Sequence, residues 1–222
     1  MMLTPGEVLV TDRPLLILGA GTFAVEALEA AELSGRTVCG FLVAPAEYRT
    51  VPTLEGLPVF VPEDLPFGPA EVACVAGIVS TRRRAIVELV EARGFAFTVL
   101  KHPAAIVSPR ARLEPGAFIG AGAIVSAHTR VGRHVILNRG ANVAHDVDLG
   151  AFATVGPNAV IAGAVTVGAR AWVGVGAVVR DHLAIGEGAV VGAGALVVKP
   201  VAAHTLVAGS PAAVVRDGVD GM

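Results

Sequence analysis

The segment VSAHTRVGRHVILNRGANVAHDVDLGAFATVGPNAVIAGAVTV, residues 125–167, carries an aliphatic residue at every sixth position. Val125, Val131, Leu137, Val143, Leu149, Val155, Ile161 and Val167 mark the beat. Followed outward, the run starts at Val107 and Leu113 and ends at Val197 without a break in register. A period of six fits neither a helix nor an alternating strand. It is the signature of a parallel β-helix, in which each hexad supplies one short side of a coil. Gly often follows the aliphatic, as at Gly132, Gly150, Gly156 and Gly168, and a small residue such as Ala153 or Ala159 stands four places after it. The aliphatics are expected to fill the coil and the small residues to fit its corners. Gly is expected to supply backbone angles that a Cβ forbids. If three hexads close one triangular turn, the run makes about five coils, a prism about 25 Å tall at roughly 4.8 Å per coil.

The 222-residue chain is 54% hydrophobic, with a mean hydropathy of +0.69. Ala, Val and Gly supply this, and no window approaches the roughly 18 uninterrupted apolar residues of a membrane span. The opening MMLTPGEVLVTDRP lacks a basic stretch followed by an apolar one, so no secretory signal and a cytoplasmic location are expected. Net charge is −2 and no basic tract argues for nucleic acid. Cys39 and Cys74 stand isolated in apolar stretches and read as buried thiols rather than a disulfide.

Ahead of the repeat the chain reads as an α/β unit with a small parallel sheet. Leu15–Leu18 is a strand, Gly19 to Ala24 a tight turn, and Phe23–Leu33 a helix stopped by Ser34-Gly35. Thr37–Val43 is a second strand. A Pro-rich loop follows, then a strand over Val72–Val79, a helix over Thr81–Arg93 and a last strand over Phe95–Leu100. Lys101-His102-Pro103 marks the boundary between a unit over 1–102 and the β-helix over 103–222.

Chemistry is concentrated in Asn138 to Asp146, where polar residues interrupt an outer face of Ala and Gly. His145 and Asp146 occupy the third and fourth places of their hexad, outside the core. An imidazole beside a carboxylate is the arrangement of a general base. An 18-residue coil stacks Asp146 on His128 and puts His134 on another edge. The 128–134–145 spacing does not suit a three-histidine zinc site, and no metal is expected. His182 and His204 read as surface residues and His102 as a boundary residue. Gly19-x-Gly21-x-x-Ala24, between a strand and a helix, has the form of a pyrophosphate-binding loop. The acidic residue that grips an NAD ribose is absent after the second strand, at Val43-Ala44, so a nucleotide-sugar pyrophosphate or simple packing fits better.

Taken together, the chain resembles the bacterial sugar O-/N-acetyltransferases of the sialic-acid and bacillosamine pathway type. Leu18-Gly19-Ala20-Gly21, Lys101-His102-Pro103, Val143-Ala144-His145-Asp146, Val173-Gly174-Val175-Gly176-Ala177 and Ala208-Gly209-Ser210-Pro211-Ala212 carry the resemblance. It implies a small Rossmann-like nucleotide-sugar domain joined to a left-handed β-helix of hexapeptide repeats. It implies acetyl-CoA as co-substrate, a homotrimer, and donor binding between neighbouring prisms. By that resemblance His145 is the base, Asp146 raises its basicity, and the N–H of Gly163 stabilises the oxyanion. Thr154, Val175 and Ala193 fall at donor-contact positions, with Lys199 or Arg216 near the CoA phosphates. Gly19, Gly21, Thr22, Phe23 and Asn138 fall at the sugar-nucleotide site. The chain departs from the family pattern at Thr22-Phe23, Val43-Ala44 and Thr154. The expected reaction is N-acetylation of a nucleotide-linked amino sugar. O-acetylation of a hydroxyl and a non-catalytic scaffold trimer are the alternatives.

Overall fold

The computed structural model describes residues 12–45, 48 and 50–222. Sixteen two-residue strands, from Ile106–Val107 to Leu196–Val197, wind into a parallel solenoid with three flat faces, just over five coils long. Each strand pairs with those 18 residues away: Val125 lies between Val107 and Val143 in register. Along the run the second residue of each strand points inward. Val125, Val131, Leu137, Val143 and Leu149 are all within 1% of complete burial, and Ala141, Ala153 and Ala159 fill the corners. Each buried aliphatic contributes about 1.5–3 kcal/mol by leaving water. Val107 and Leu113 are only partly buried, because no coil lies beneath them.

The glycines after the aliphatics serve a different purpose from the conformational one expected of them. Gly150 and Gly168 are absent from the left-handed region. A Cβ on Gly150 would stand 2.5 Å from the nitrogen of Ala169, and one on Gly168 would stand 2.4 Å from that of Glu187. Hydrogen-bonded coils leave no room there. The left-handed turn falls two residues later, mostly on non-glycine residues: His128, His134, Asp146, Phe152 and Asn158 all have φ between 54° and 61°.

The N-terminal unit is a mainly parallel sheet with helices on its two sides. Its elements are β1 (Leu15–Leu18), α1 (Thr22–Leu33), β2 (Val38–Leu42), β3 (Thr53–Leu54), β4 (Leu57–Phe60), β5 (Ala73–Ala76) and α2 (Arg84–Glu91). The strand order is β3-β4-β2-β1-β5, with only the β3–β4 hairpin antiparallel. That hairpin lies in what reads as a Pro-rich loop. The expected strand over Phe95–Leu100 does not form as one. Phe97 bridges to Cys74, whereas Leu100–Lys101 pairs with Phe118–Ile119 and becomes a rung of the solenoid. Lys101-His102-Pro103 therefore lies within the solenoid's first turn. Cys39 and Cys74 are free thiols whose pKa values burial pushes up to about 11 and about 12, so both stay protonated.

The two units share a core. Phe23 of α1 packs edge-on against Phe118 of the solenoid, with ring centroids 5.1 Å apart, and Ile136 joins the same cluster. On the other side of the sheet Arg83 is 1% exposed. Its guanidinium donates to the carbonyls of Val79, Ser80, His134, Phe152 and Ala153 and to the Thr154 hydroxyl. Burial lowers its pKa only to about 9, so it remains a cation at neutral pH, held by carbonyl dipoles. Beside it the His134 ring is clamped between Phe97 and Phe152, and its Nε2 lies 3.2 Å from Glu91. Gly116 makes room for the ring, since a Cβ there would overlap Nδ1 at 2.1 Å.

Arg83→Met leaves the His134 and Phe152 carbonyls without a donor at the junction, whereas those of Val79, Ser80 and Ala153 keep another. It is expected to lower unfolding stability by roughly 2–4 kcal/mol in urea titration. Burial also pushes the His134 pKa down to about 4, against an opposing pull from Glu91. The folded chain thus holds a neutral imidazole, while the unfolded chain binds a proton below about 6.5. Stability from this group is complete above pH 6.5 and is lost as pH falls toward 4. Melting temperatures from pH 7.5 to 4 are expected to fall more steeply for wild type than for His134→Gln. Parallel curves contradict this account of the ring.

Candidate active site

His145 stands at a corner whose backbone is pinned on both sides. Ala144 N–H donates to Ile161 at 2.9 Å, Asp146 N–H to Ala127 at 3.1 Å, and the His145 carbonyl accepts from Ala164 at 3.0 Å. Asp146 takes the left-handed conformation, φ 58°, which a short polar side chain tolerates. The turn brings its Oδ2 to 2.8 Å from Nδ1 of His145. A carboxylate only accepts, so Nδ1 carries the proton and Nε2 presents a lone pair. Both side chains are more than half exposed, at 67% and 56%.

The imidazole lies over Gly163, one coil on. A Cβ at that position would meet Cε1 at 2.8 Å and Nε2 at 2.9 Å. The ring occupies this place because residue 163 has no side chain. Among the described residues the Gly163 N–H donates to no backbone carbonyl, so an unpaired donor lies next to the base. Thr129 supports the corner from the coil below. Its hydroxyl donates to the Ala144 carbonyl at 2.6 Å and accepts from Val147 N–H at 3.2 Å. In the sequence Thr129 passes as one more small corner residue. Its only signal is an oxygen in a column otherwise made of apolar residues.

Other expected site residues divide into two groups. Gly19 and Gly21 line a cleft with Val43, Ala44, Tyr48 and Ile78, at the N-terminal end of α1. Gly19 has φ 104°, and a Cβ there would strike Ile78 at 2.5 Å, so only Gly fits. Thr22 is exposed at the start of α1. Phe23 points the other way, into the shared core, and serves packing rather than a ligand. Asn138 is 5% exposed, with Oδ1 accepting from Arg139 N–H at 2.7 Å. Arg139 in turn reaches Glu26 of α1 at 2.9 Å and ties this corner to the N-terminal unit.

Val175 and Ala193 line one groove, together with Trp172, Leu206 and Arg216. Lys199 is exposed and does not line that groove. Thr154 does not reach it either. Its hydroxyl is completely buried between Arg83 and the Val79 carbonyl, so it holds the junction together instead of facing a donor molecule. His182 is an exposed residue 3.7 Å from Asp181, and half-exposed His204 accepts no surface role alone but holds the tail at Val219 through Nδ1, 3.0 Å from its carbonyl. His102 caps its own turn, accepting from Ala104 N–H.

No family model and no curated protein sequence matches the chain. Solved structures do. PerB from Caulobacter crescentus, in complex with CoA and GDP-perosamine, is 32% identical over 95% of this chain and all of its own, with a TM-score of 0.85. The acetyltransferase domain of PglB from Neisseria gonorrhoeae, in complex with acetyl coenzyme A, is 33% identical over 92% of this chain and all of its own, also at 0.85. WeeI from Acinetobacter baumannii is 26% identical over 91% of this chain and all of its own, at 0.82. Two further structures of the Caulobacter protein, described as a perosamine N-acetyltransferase, carry replacements of a single histidine. With more than 30% identity to relatives that it covers from end to end, and with the hexad repeat and histidine–aspartate corner in place, the chain belongs to the bacterial sugar acetyltransferases.

Proposed function

We propose that the protein transfers the acetyl group of acetyl-CoA to the amino nitrogen of a nucleotide-linked amino sugar. One observation carries the mechanism: the His145 ring, oriented by Asp146, holds the Nε2 lone pair outward over a glycine. The sugar nitrogen attacks the thioester carbonyl, forming the C–N bond and a tetrahedral oxyanion. The nitrogen's proton passes to Nε2 of His145. The C–S bond then breaks, and the proton leaves with the CoA thiolate. Asp146 stabilises the transient imidazolium by charge. The Gly163 N–H, free of a backbone partner, is the donor for the oxyanion.

The relatives bound to CoA and to GDP-perosamine support this assignment of donor and acceptor. The N-terminal unit, which ends where Leu100–Lys101 joins the solenoid rather than at 102, is then a Rossmann-like nucleotide-sugar domain, with the pyrophosphate at Gly19 and Gly21. The solenoid that follows is the left-handed acyltransferase domain. The assembly is a homotrimer. One flat face supports this, because Ile106, Val160 and Val178 stand on it in register at 65%, 36% and 38% exposure. That face ends at the His145 corner, so a second copy on it would wall the base from water.

The assay follows free thiol released from acetyl-CoA with GDP- and UDP-linked amino sugars and their hydroxyl analogues. His145→Ala is expected to lower kcat by roughly 10²–10⁴-fold on the amine substrate with folding unchanged. Gly163→Ala is expected to lower kcat by about tenfold or more, because its methyl displaces the ring. A His145→Ala rate equal to wild type removes the base assignment. A faster hydroxyl acceptor makes the enzyme an O-acetyltransferase.

A further inference from the structure

Thr129 is 1% exposed and begins a column that continues, coil by coil, with Val147, Val165, Leu183 and Val201. Valine has the same branched shape and carries no hydroxyl that must be satisfied when buried, so packing alone does not call for threonine here. The hydroxyl is used on the backbone of the next coil. At corners such as Asn138–Ala141 and Gly156–Ala159, the N–H of the fourth residue donates to the carbonyl of the first, at 3.1 and 3.2 Å. The His145 corner is closed differently. Its fourth residue, Val147, donates to the Thr129 hydroxyl at 3.2 Å, and that hydroxyl donates at 2.6 Å to the carbonyl of the first, Ala144. Among the described residues neither that N–H nor that carbonyl has a backbone partner. His145 and Asp146 are the two residues in between. One buried oxygen therefore holds both ends of the turn that carries the base.

Resting on the reading of His145 as the base, we propose that Thr129 is a positioning residue for it. The side chains of His145 and Asp146 are 67% and 56% exposed, so packing does little to fix the imidazole. Its direction is set by the two peptides from which it projects. The Thr129 hydroxyl acts as a spacer between Ala144 and Val147 and fixes the tilt of both. A β-branched side chain locked in the core suits that task, because its χ1 is stiff. With the spacer in place, the ring lies over Gly163 and Nε2 keeps its station beside the Gly163 N–H. Without it, the Ala144 carbonyl and the Val147 N–H close on each other to form the shorter turn bond of the other corners. That movement rotates the flanking peptides and carries the ring off its place. Thr129 touches neither substrate nor donor, and it acts only through the corner above it.

Thiol release from acetyl-CoA, with whichever GDP- or UDP-linked amino sugar turns over fastest, is compared for wild type, Thr129→Val, Thr129→Ser, His145→Ala and the double variant His145→Ala/Thr129→Val. Thr129→Val is expected to lower kcat by about tenfold, with KM for both substrates within about twofold of wild type. Thr129→Ser keeps the oxygen and is expected to recover most of that loss. In the His145→Ala background Thr129→Val is expected to cost nothing further, because residues that act as a unit are not additive. A wild-type kcat for Thr129→Val beside an impaired His145→Ala overturns the positioning role and leaves the base assignment standing. So does a further tenfold loss in the double variant, which a merely structural role produces. If Thr129→Val does not fold, Thr129→Ser against Thr129→Ala makes the same comparison, and equal kcat values overturn the proposal. A His145→Ala rate equal to wild type overturns the reading of the base itself.

Discussion

Hydrogen bonding between coils at an interval of 18 residues is the constraint on which the rest of this molecule depends. It places each backbone segment directly over its counterpart in the previous coil, as in the pairing of Asn142–Val143 with Ile124–Val125 and Val160–Ile161. Inside, it demands one aliphatic for each face of each coil. At the corners it excludes even a methyl group, as at Gly150. At the His145 corner the same constraint becomes chemistry. Gly163 lies under the imidazole because it lies one coil away from it, and Thr129 supports the turn from one coil below. The base is positioned by a ladder of backbone bonds rather than by a flexible loop, which suits a site that must hold geometry through a group transfer.

Much of this is legible in the sequence because the repeat acts as a ruler. The aliphatic beat predicts the inward residues, and the hexad places His145 and Asp146 outside the core and adjacent. The reason for the glycines is not legible that way. In a lone strand Gly implies unusual φ, whereas here steric exclusion between coils decides, and that contact exists only once the coils stack. Phe95–Leu100 misleads for a related reason. Its composition suits a strand, but its end finds a better partner in Phe118–Ile119 than in the sheet of the N-terminal unit.

The least legible part is the junction. Arg83 sits in a run of three arginines, Arg82 to Arg84, and nothing in that run says which one is buried. The fold decides. Arg83 turns inward to five carbonyls, Arg84 pairs with Glu88 along α2, and Arg82 faces the pocket beside Arg216. Thr154 and Phe23 change role for the same reason. Both occupy surfaces of their own units that docking buries, so positions that read as ligand contacts in isolation become the seam. The seam fixes the N-terminal unit, with its cleft at Gly19 and Gly21, onto the solenoid that carries His145.

The central claim is that the Nε2 lone pair of His145, aimed over Gly163, receives the proton of the attacking amine. A crystal structure of the protein with CoA and a nucleotide-linked amino sugar tests it most directly. The account predicts the sugar nitrogen within about 2.6–3.2 Å of Nε2, or joined to it through one water. It also predicts the CoA sulfur beside the same corner. A sugar nitrogen bound at another corner of the prism, out of reach of His145 while CoA occupies its groove, would contradict the account.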